Sequence, residues 1–276
     1  MHLNSKVERL VSLLEKLPGA LVAYSGGADS AYLSEMSHRV LGDRSTAVTA
    51  DSPSLPRREL KQAVELAMQQ GWVHEVVATL EITDENYTSN PHDRCYFCKS
   101  ALFDQLAPKA EAIGVPILLG TNLDDLGDWR PGQVSASERG ALSPLVDAGF
   151  TKEDVREASA SVGLVTADKP ASACLASRFA YGVAITEEGL ARVEAAEDVI
   201  LARGFSVVRV RDLGQDRARV EVGAHEVSRL GQIGSELISA LMGLGFRRIS
   251  LDERGYRQGS LNDGIEVELI QVGRRR

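Results

Sequence analysis

No apolar run in this chain approaches the ~18 residues that a membrane-spanning helix requires. The longest, such as Val115 to Leu119, fit single buried strands, so no membrane partner is expected. No export signal is expected either, because Val7, Leu10, Val11, Leu14 and Leu17 recur at helical spacing between charges, as on an amphipathic surface helix. Cysteine is scarce and odd in number. Three cysteines without an export signal argue against a disulfide framework and for free, ligating or reactive thiols in a reducing cytoplasm. Basic residues are in deficit, 31 Lys+Arg against 39 Asp+Glu, and the net charge of −8 repels a phosphate backbone unless cations cluster. Nucleic acid is therefore a disfavoured partner. Repeats and low-complexity tracts are absent, and with 276 residues, 43% of them hydrophobic, the composition is that of a globular protein of one or two domains.

Short apolar runs alternate with helical patterns through the first half. Ala20 to Tyr24, Thr46 to Ala50, Trp72 to Ala78 and Pro116 to Leu119 read as buried strands, and residues 29–40, 57–70 and 97–113 as helices between them. Apolar strands separated by helices imply a parallel sheet covered on both faces. After the breaker Ser143-Pro144, Thr151 and Asp154 form a capping-box pattern that opens another helix. A boundary near 145–165 is expected, dividing the chain into residues 1–155 and 156–276. From Thr186 the pattern predicts a helix to about Arg203, strands at Phe205 to Val210 and Ala218 to Val222, a helical region 225–243, and strands near 247–251 and 265–270. The fold class is α/β, with a parallel-sheet domain followed by a smaller α+β domain.

The first strand runs directly into Ser25-Gly26-Gly27-Ala28-Asp29-Ser30, and Ala31, Leu33 and Met36 continue it as a helix. Glycines let the backbone curl and approach a ligand closely, while the free N–H groups and dipole of a helix start favour phosphate. Ser25 and Ser30 add hydroxyl donors. Asp29 would repel a bare phosphate, so it suggests either a Mg²⁺ shared with the phosphates or a helix cap. On these residues alone a tight strand-to-helix turn remains the competing account. The chain has neither the Gly-Lys-Ser/Thr of a P-loop nor the Gly-x-Gly-x-x-Gly of a dinucleotide fold, which removes kinase, GTPase and dehydrogenase readings. Gly120-Thr121-Asn122 follows another strand end, where open parallel sheets bind ligands.

Every cysteine lies in a motif-like setting. Cys95 and Cys98 fall in Asp93-Arg94-Cys95-Tyr96-Phe97-Cys98-Lys99, at a predicted loop-to-helix junction, and Cys174 in Lys169-Pro170-Ala171-Ser172-Ala173-Cys174-Leu175-Ala176-Ser177-Arg178. Neighbouring Arg94, Lys99 and Arg178 favour thiolates. Three thiolates suffice to hold three irons of a cubane, leaving the fourth open to sulfide. A zinc site short of one ligand, a redox dithiol beside an unrelated cysteine, and three unlinked core thiols stay open as alternatives.

Ser-Gly-Gly-x-Asp-Ser after a first strand resembles the PP-loop of ATP pyrophosphatases, which cleave ATP between the α and β phosphates. Together with Asp93-Arg94-Cys95-x-x-Cys98-Lys99, Gly120-Thr121-Asn122-Leu123-Asp124-Asp125, Arg130-Pro131-Gly132 and Lys169-Pro170-x-x-x-Cys174-Leu175-Ala176-Ser177-Arg178, it makes nearly the whole chain similar to the LarE family of ATP-dependent sulfur transferases. The resemblance implies an adenine nucleotide alpha hydrolase-like first domain and conversion of the carboxylates of pyridinium-3,5-biscarboxylic acid mononucleotide to thiocarboxylates, for the nickel-pincer cofactor of lactate racemase. It implies ATP and Mg²⁺ at Ser25, Gly26, Gly27, Asp29, Ser30, Gly120, Thr121 and Asn122, with Cys174 as the sulfur-bearing catalytic residue beside Asp29. One branch of the family spends that single cysteine, ending as dehydroalanine. Cys95 and Cys98 put this chain with the three-cysteine branch, implying a four-iron, four-sulfur cluster on Cys95, Cys98 and Cys174 with an open fourth iron, and sulfide or another sulfur donor as partner. A homo-oligomer in the cytoplasm is expected.

Arg209 and Arg211 alternate on a predicted strand, so both guanidiniums share a face; Arg219 and Glu221 do the same on the next. Two parallel forks suit a phosphate or carboxylate, although from spacing alone a solvated antiparallel face with cross-strand pairs is the better account. The resemblance raises Arg178, Arg209 and Arg211 to substrate-binding candidates. Glu197 is matched only loosely and stays open between site and surface. His38, His74, His92 and His225 have no shared ligand spacing and read as structural or exposed. The rival functions are tRNA thiolation, ammonia-dependent ligation of the NAD synthetase kind, and a non-catalytic ATP or iron–sulfur sensor.

Overall fold

The computed structural model describes residues 2–127, 131–170 and 173–257. Arg130 and the strand expected at 265–270 lie outside them. Contacts divide the chain into two units, Met1–Tyr87 with Asp93–Ser172, and Thr88–His92 with Ala173–Arg276. The boundary expected at 155/156 would cut a helix in two: Lys152–Ser161 is a single helix, capped by the Thr151–Asp154 box, and its Val155 and Ala158 belong to the first unit's core.

In the first unit the order is α1 (Leu3–Glu15), β1 (Ala20–Ala23), α2 (Ala28–Leu41), β2 (Ser45–Asp51), α3 (Arg57–Gln70), β3 (Val73–Ala78), a short α4 (Glu85–Thr88) at the unit's edge, α5 (Arg94–Ile113), β4 (Ile117–Leu119), α6 (Pro131–Glu138), α7 (Pro144–Ala148) and α8 (Lys152–Ser161). The four strands form one all-parallel sheet in the order β3-β2-β1-β4. Every residue of central β1 is buried, because both faces are covered. Leu10, Leu33, Met36, Leu66, Phe150 and Val155 bring α1, α2, α3 and α8 onto one face. Phe103, Leu106 and Ala110 of α5 cover the other against Leu21, Val48 and Leu119. The reversal of direction that puts β1 beside β4 leaves a crevice at the carboxyl ends of these two strands, where the glycine loop emerges.

Helix α5 begins at Arg94 rather than 97: Asp93 stands at the N-cap position without a side-chain cap bond, and Tyr96 N–H donates to its carbonyl at 2.8 Å. The Cys-x-x-Cys is therefore the first turn of a helix, not the loop before it.

The second unit contains α9 (Glu187–Leu201), β5 (Val208–Asp212), β6 (Arg217–Val222), α10 (Val227–Gln232), α11 (Gly234–Gly243) and β7 (Arg248–Leu251). Its sheet has the order β5-β6-β7, antiparallel then parallel. The expected strand 205–210 starts later, at Val208, because the Glu226 carboxylate takes the Ser206 N–H and hydroxyl. Residues 88–92 join this unit through Asn90, fully buried at φ 56°, whose Nδ2 donates to the carbonyls of Ala180 at 2.8 Å and Val183 at 3.0 Å.

Candidate active site

At the end of β1 the chain turns through Gly26 at φ 75°, a conformation that a residue with a Cβ rarely adopts, and enters α2 at Gly27. Gly27 is the N-cap and offers no side chain, so no cap side chain takes the first-turn N–H groups of α2, the kind of helix start at which anions bind. The loop is drawn tight by its own serines. Ser30 Oγ accepts from Ser25 N–H at 3.1 Å, lies 3.0 Å from Ser25 Oγ and donates to the Gly27 carbonyl. Gly120, at the exit of β4, sits against this helix start; a Cβ there would lie 2.7 Å from Ser30 N and 2.9 Å from the Asp29 carbonyl carbon. Thus residues some ninety positions apart share one crevice, with half-buried Thr121 between Gly120 and Asn122.

Asp29 is the second residue of α2 and does not cap it. Its carboxylate accepts from Asn122 Nδ2 at 3.2 Å and from Lys152 Nζ at 2.5 Å. The helix-cap alternative fails because Gly27 holds the cap position and the Asp29 side chain points across the crevice. Lys152, which sequence reasoning passed over, reaches Asp29 because it is the first residue of α8, whose start is tied down by the Thr151 box and by its own N–H on Asp124 Oδ2 at 2.7 Å. Asn122 is fixed in turn by its N–H on Asp125 Oδ2 and its Oδ1 on the Asp124 N–H. The carboxylate oxygens of Asp29 are the hard ligands that Mg²⁺ prefers, and such a cation takes its remaining ligands from water and phosphate. Among the described residues no set of three or more His, Cys, Asp or Glu gathers as a closed metal cage.

Behind the loop the same unit has a cleft of about 480 Å³, bordered by Tyr24, Gly26, Gln62, Leu66, Thr166 and Lys169. Lys169 spans it, with Nζ 2.6 Å from Glu59 Oε2 and 3.0 Å from the Gly26 carbonyl.

Cys95 and Cys98, one turn apart on α5, share a helical face; neither they nor Cys174 form a disulfide. Burial pulls the neighbouring Lys99 ammonium below the ordinary lysine range, against the opposing charge of Cys98.

In the second unit Cys174 opens a 3₁₀ turn, Leu175–Arg178. Its carbonyl accepts from Ser177 N–H at 3.0 Å, Ser177 Oγ at 2.7 Å and Arg178 Nη1 at 3.0 Å. Arg178 Nη1 also donates to the Ala173 carbonyl, while Nε and Nη2 form a fork on the two oxygens of Glu197 at 2.8 and 3.1 Å. Both partners are buried, so Glu197 is not a surface residue. Burial alone would raise its carboxyl; the hydrogen bonds and charge of Arg178, the charge of Arg209 and the Val210 N–H outweigh it and hold the group below the ordinary range.

Register places Arg209 opposite Glu221 and Arg211 opposite Arg219, so all four share a face as the alternation predicts. Their partners differ. Arg211 directs Nε and Nη2 to Glu221 Oε2 at 3.0 and 2.9 Å and Nη1 to the Ser177 carbonyl at 2.9 Å; Arg219 binds Glu221 Oε1. Two parallel forks on a shared anion are thus not what the strand presents. Arg178 and Arg211 hold the carbonyls of the Cys174 turn, and their carboxylate partners explain why they can be buried. Arg209 is half-buried, stacks over Tyr256 at 5.0 Å and donates to the Val208 carbonyl, with no carboxylate in salt-bridge range among the described residues. Burial and then the nearby Arg178 charge lower its pKa, with Glu197 opposing.

Among the described residues no helix is long and apolar enough to cross a membrane. No family model matches the chain. It is 35% identical over 265 residues, 95% of this chain and 96% of the relative, to the pyridinium-3,5-bisthiocarboxylic acid mononucleotide synthase of Lactiplantibacillus plantarum. It is 44% identical over 94% of its length to an uncharacterized protein of Synechocystis, of which it covers 98%. A further uncharacterized protein, from Methanocaldococcus jannaschii, is 26% identical over 86% of this chain and 90% of its own length.

Proposed function

The chain belongs to the family of pyridinium-3,5-bisthiocarboxylic acid mononucleotide synthases, and we propose that it is an ATP-dependent sulfur transferase of the three-cysteine kind, acting on the two carboxylates of pyridinium-3,5-biscarboxylic acid mononucleotide to make the ligand of a nickel-pincer cofactor. In this reading the loop Ser25 to Ser30 binds the ATP phosphates through its N–H groups, and Gly120, Thr121 and Asn122 close the crevice around the nucleotide. A substrate carboxylate oxygen attacks the α phosphorus, pyrophosphate leaves, and the carboxyl carbon carries AMP as a good leaving group. Sulfur then attacks that carbon and AMP departs. Asp29 would hold Mg²⁺, which offsets charge on the departing pyrophosphate. Lys152 keeps the Asp29 carboxylate paired and oriented until then.

Held by Cys95, Cys98 and Cys174, a four-iron, four-sulfur cluster with one open iron would supply sulfide. Arg178 and Arg211 fix the backbone of the Cys174 turn and Arg209 offers its guanidinium to the substrate's phosphate or carboxylate. The same reading expects a cytoplasmic homo-oligomer.

The observation that carries the proposal is likeness along nearly the whole length to a synthase whose product is a bisthiocarboxylic acid mononucleotide. The test is anaerobic reconstitution with iron and sulfide, followed by ATP, Mg²⁺ and the biscarboxylic mononucleotide. Release of AMP and pyrophosphate that requires the mononucleotide, with thiocarboxylate detected by mass spectrometry over several turnovers, is expected. Cys95→Ala, Cys98→Ala and Cys174→Ala are each expected to lose the cluster. A protein that binds no iron, thiolates once and carries dehydroalanine at Cys174 overturns the cluster; AMP release that requires tRNA overturns the substrate.

A further inference from the structure

Lys169 is named by its motif but has no part in the chemistry above, and its surroundings are unusual for a lysine. Its side chain is only 17% exposed, and the ammonium meets three acceptors, Glu59 Oε2 at 2.6 Å, the Gly26 carbonyl at 3.0 Å and Gln62 Oε1 at 3.4 Å. Three acceptors match the three protons of an ammonium group. Glu59, itself 15% exposed, supplies the charge that lets the cation lie there.

The contact with Gly26 is the informative one. A peptide group is planar and trans, so the Gly26 carbonyl and the Gly27 N–H point in opposite directions. Gly26 has no Cβ, stands at φ 75° and is followed by a second glycine, so the peptide between them is free to rotate at little steric cost. The cleft of about 480 Å³ borders Gly26 on the side of Lys169, and a Cβ at Gly26 would lie 3.0 Å from the Ala63 methyl of α3, so α3 stands directly behind the loop. Only Lys169 grips the oxygen among the described residues. Drawing the carbonyl back toward α3 aims the Gly27 N–H forward, away from α3 and toward the open side of the loop.

We propose that Lys169 is a positioning residue that sets the orientation of the Gly26–Gly27 peptide, and so keeps the Gly27 N–H directed at the phosphates of the bound nucleotide. The ammonium acts from behind the loop, through the backbone, and does not itself meet the phosphates. The inference rests on the reading of this loop as the ATP phosphate site, and binding to the unaltered protein tests that reading separately.

The experiment uses the full chain labelled with ¹⁵N-glycine, titrated first with ATP and then with inorganic pyrophosphate. In the unaltered protein both are expected to bind and to move the Gly27 amide resonance; absence of binding would remove the nucleotide site itself. Lys169→Met keeps the aliphatic stem and loses the ammonium, and is expected to weaken both ligands about tenfold to a hundredfold, the loss of a charged hydrogen bond, with the Gly27 shift abolished. Lys169→Arg keeps a cationic donor and should restore most of the affinity and the shift. Glu59→Gln retains Lys169 but loosens its anchor, so a smaller loss in the same direction is expected, and this variant serves if Lys169→Met does not fold. Equal affinity in Lys169→Met and the unaltered protein overturns the proposal. So does weaker binding with the Gly27 shift intact, which would mean that the ammonium acts on the phosphates by charge alone.

Discussion

The parallel sheet of the first unit and the mixed sheet of the second handle charge in opposite ways. Strand β1 is wholly apolar and buried, and the polar groups of its candidate site sit beyond the strand ends, in the loops after β1 and β4 and at the starts of α2 and α8. Strands β5 and β6 instead carry Arg209, Arg211, Arg219 and Glu221 on one face, three of them nearly fully buried. In the first arrangement the crevice groups are paired by contacts that a ligand can replace, as Lys152 on a partly exposed Asp29 illustrates. In the second, most charges are spent on each other and on the carbonyls of the Cys174 turn, while Arg209 has no carboxylate in salt-bridge range among the described residues.

The sharpest test of this contrast removes the centre of the first site. Asp29→Ala is expected to stay folded and to lose pyrophosphate release by about a thousandfold or more, because stabilising charge at a departing phosphate is worth several kcal/mol. Wild-type rates in that variant would leave Asp29 only its ion pair with Lys152.

The corresponding change in the second unit should act on stability. Glu197→Ala strands Arg178 in the interior and is expected to cost about 3–5 kcal/mol, measured by denaturant unfolding. A cost within about 0.5 kcal/mol, as for a surface residue, would sink this account. The pH dependence has a definite sign. A carboxyl held below its ordinary value of 4.5 contributes stability that is complete above that value and is lost as pH falls through the lower folded-state value. Acid unfolding should therefore lose this component below about pH 4.5 in the unaltered protein and lack it in Glu197→Gln.

Arg209 and Arg211 are separable although they are neighbours in the alternation. Arg209→Ala should weaken the phosphorylated dicarboxylate by about tenfold to a hundredfold, the equivalent of ~1.5–3 kcal/mol, with little change in stability. Arg211→Ala should lose stability first, since it leaves a Ser177 carbonyl unpaired and Glu221 with one fewer partner. Equal loss of affinity at equal stability in the two variants would restore the reading of two forks on one anion. The smallest expected effect is at the α8 start: Thr151→Ala should cost about 1 kcal/mol as a lost cap, read as a lower melting temperature.

Much of this molecule is legible in its sequence for local reasons. Apolar runs of strand length between amphipathic helices leave few options other than a covered parallel sheet, and Gly26-Gly27 before a helix leaves few options other than an open set of N–H groups. The capping box at Thr151 is likewise a four-residue property. What only the tertiary structure decided depends on partners far away in the chain. That Asp29 meets Lys152 follows from the packing of α8, across 123 positions, and Asn90 joins the second unit through carbonyls some ninety residues away. Alternation placed Arg209 and Arg211 on one face but carried no information that Arg211 would pair with Glu221 of β6, or Arg178 with Glu197 of α9. Spacing determines the direction of a side chain; whether that direction leads to solvent, to a ligand or to a buried counter-charge is set by the long-range contacts that burial requires to be satisfied.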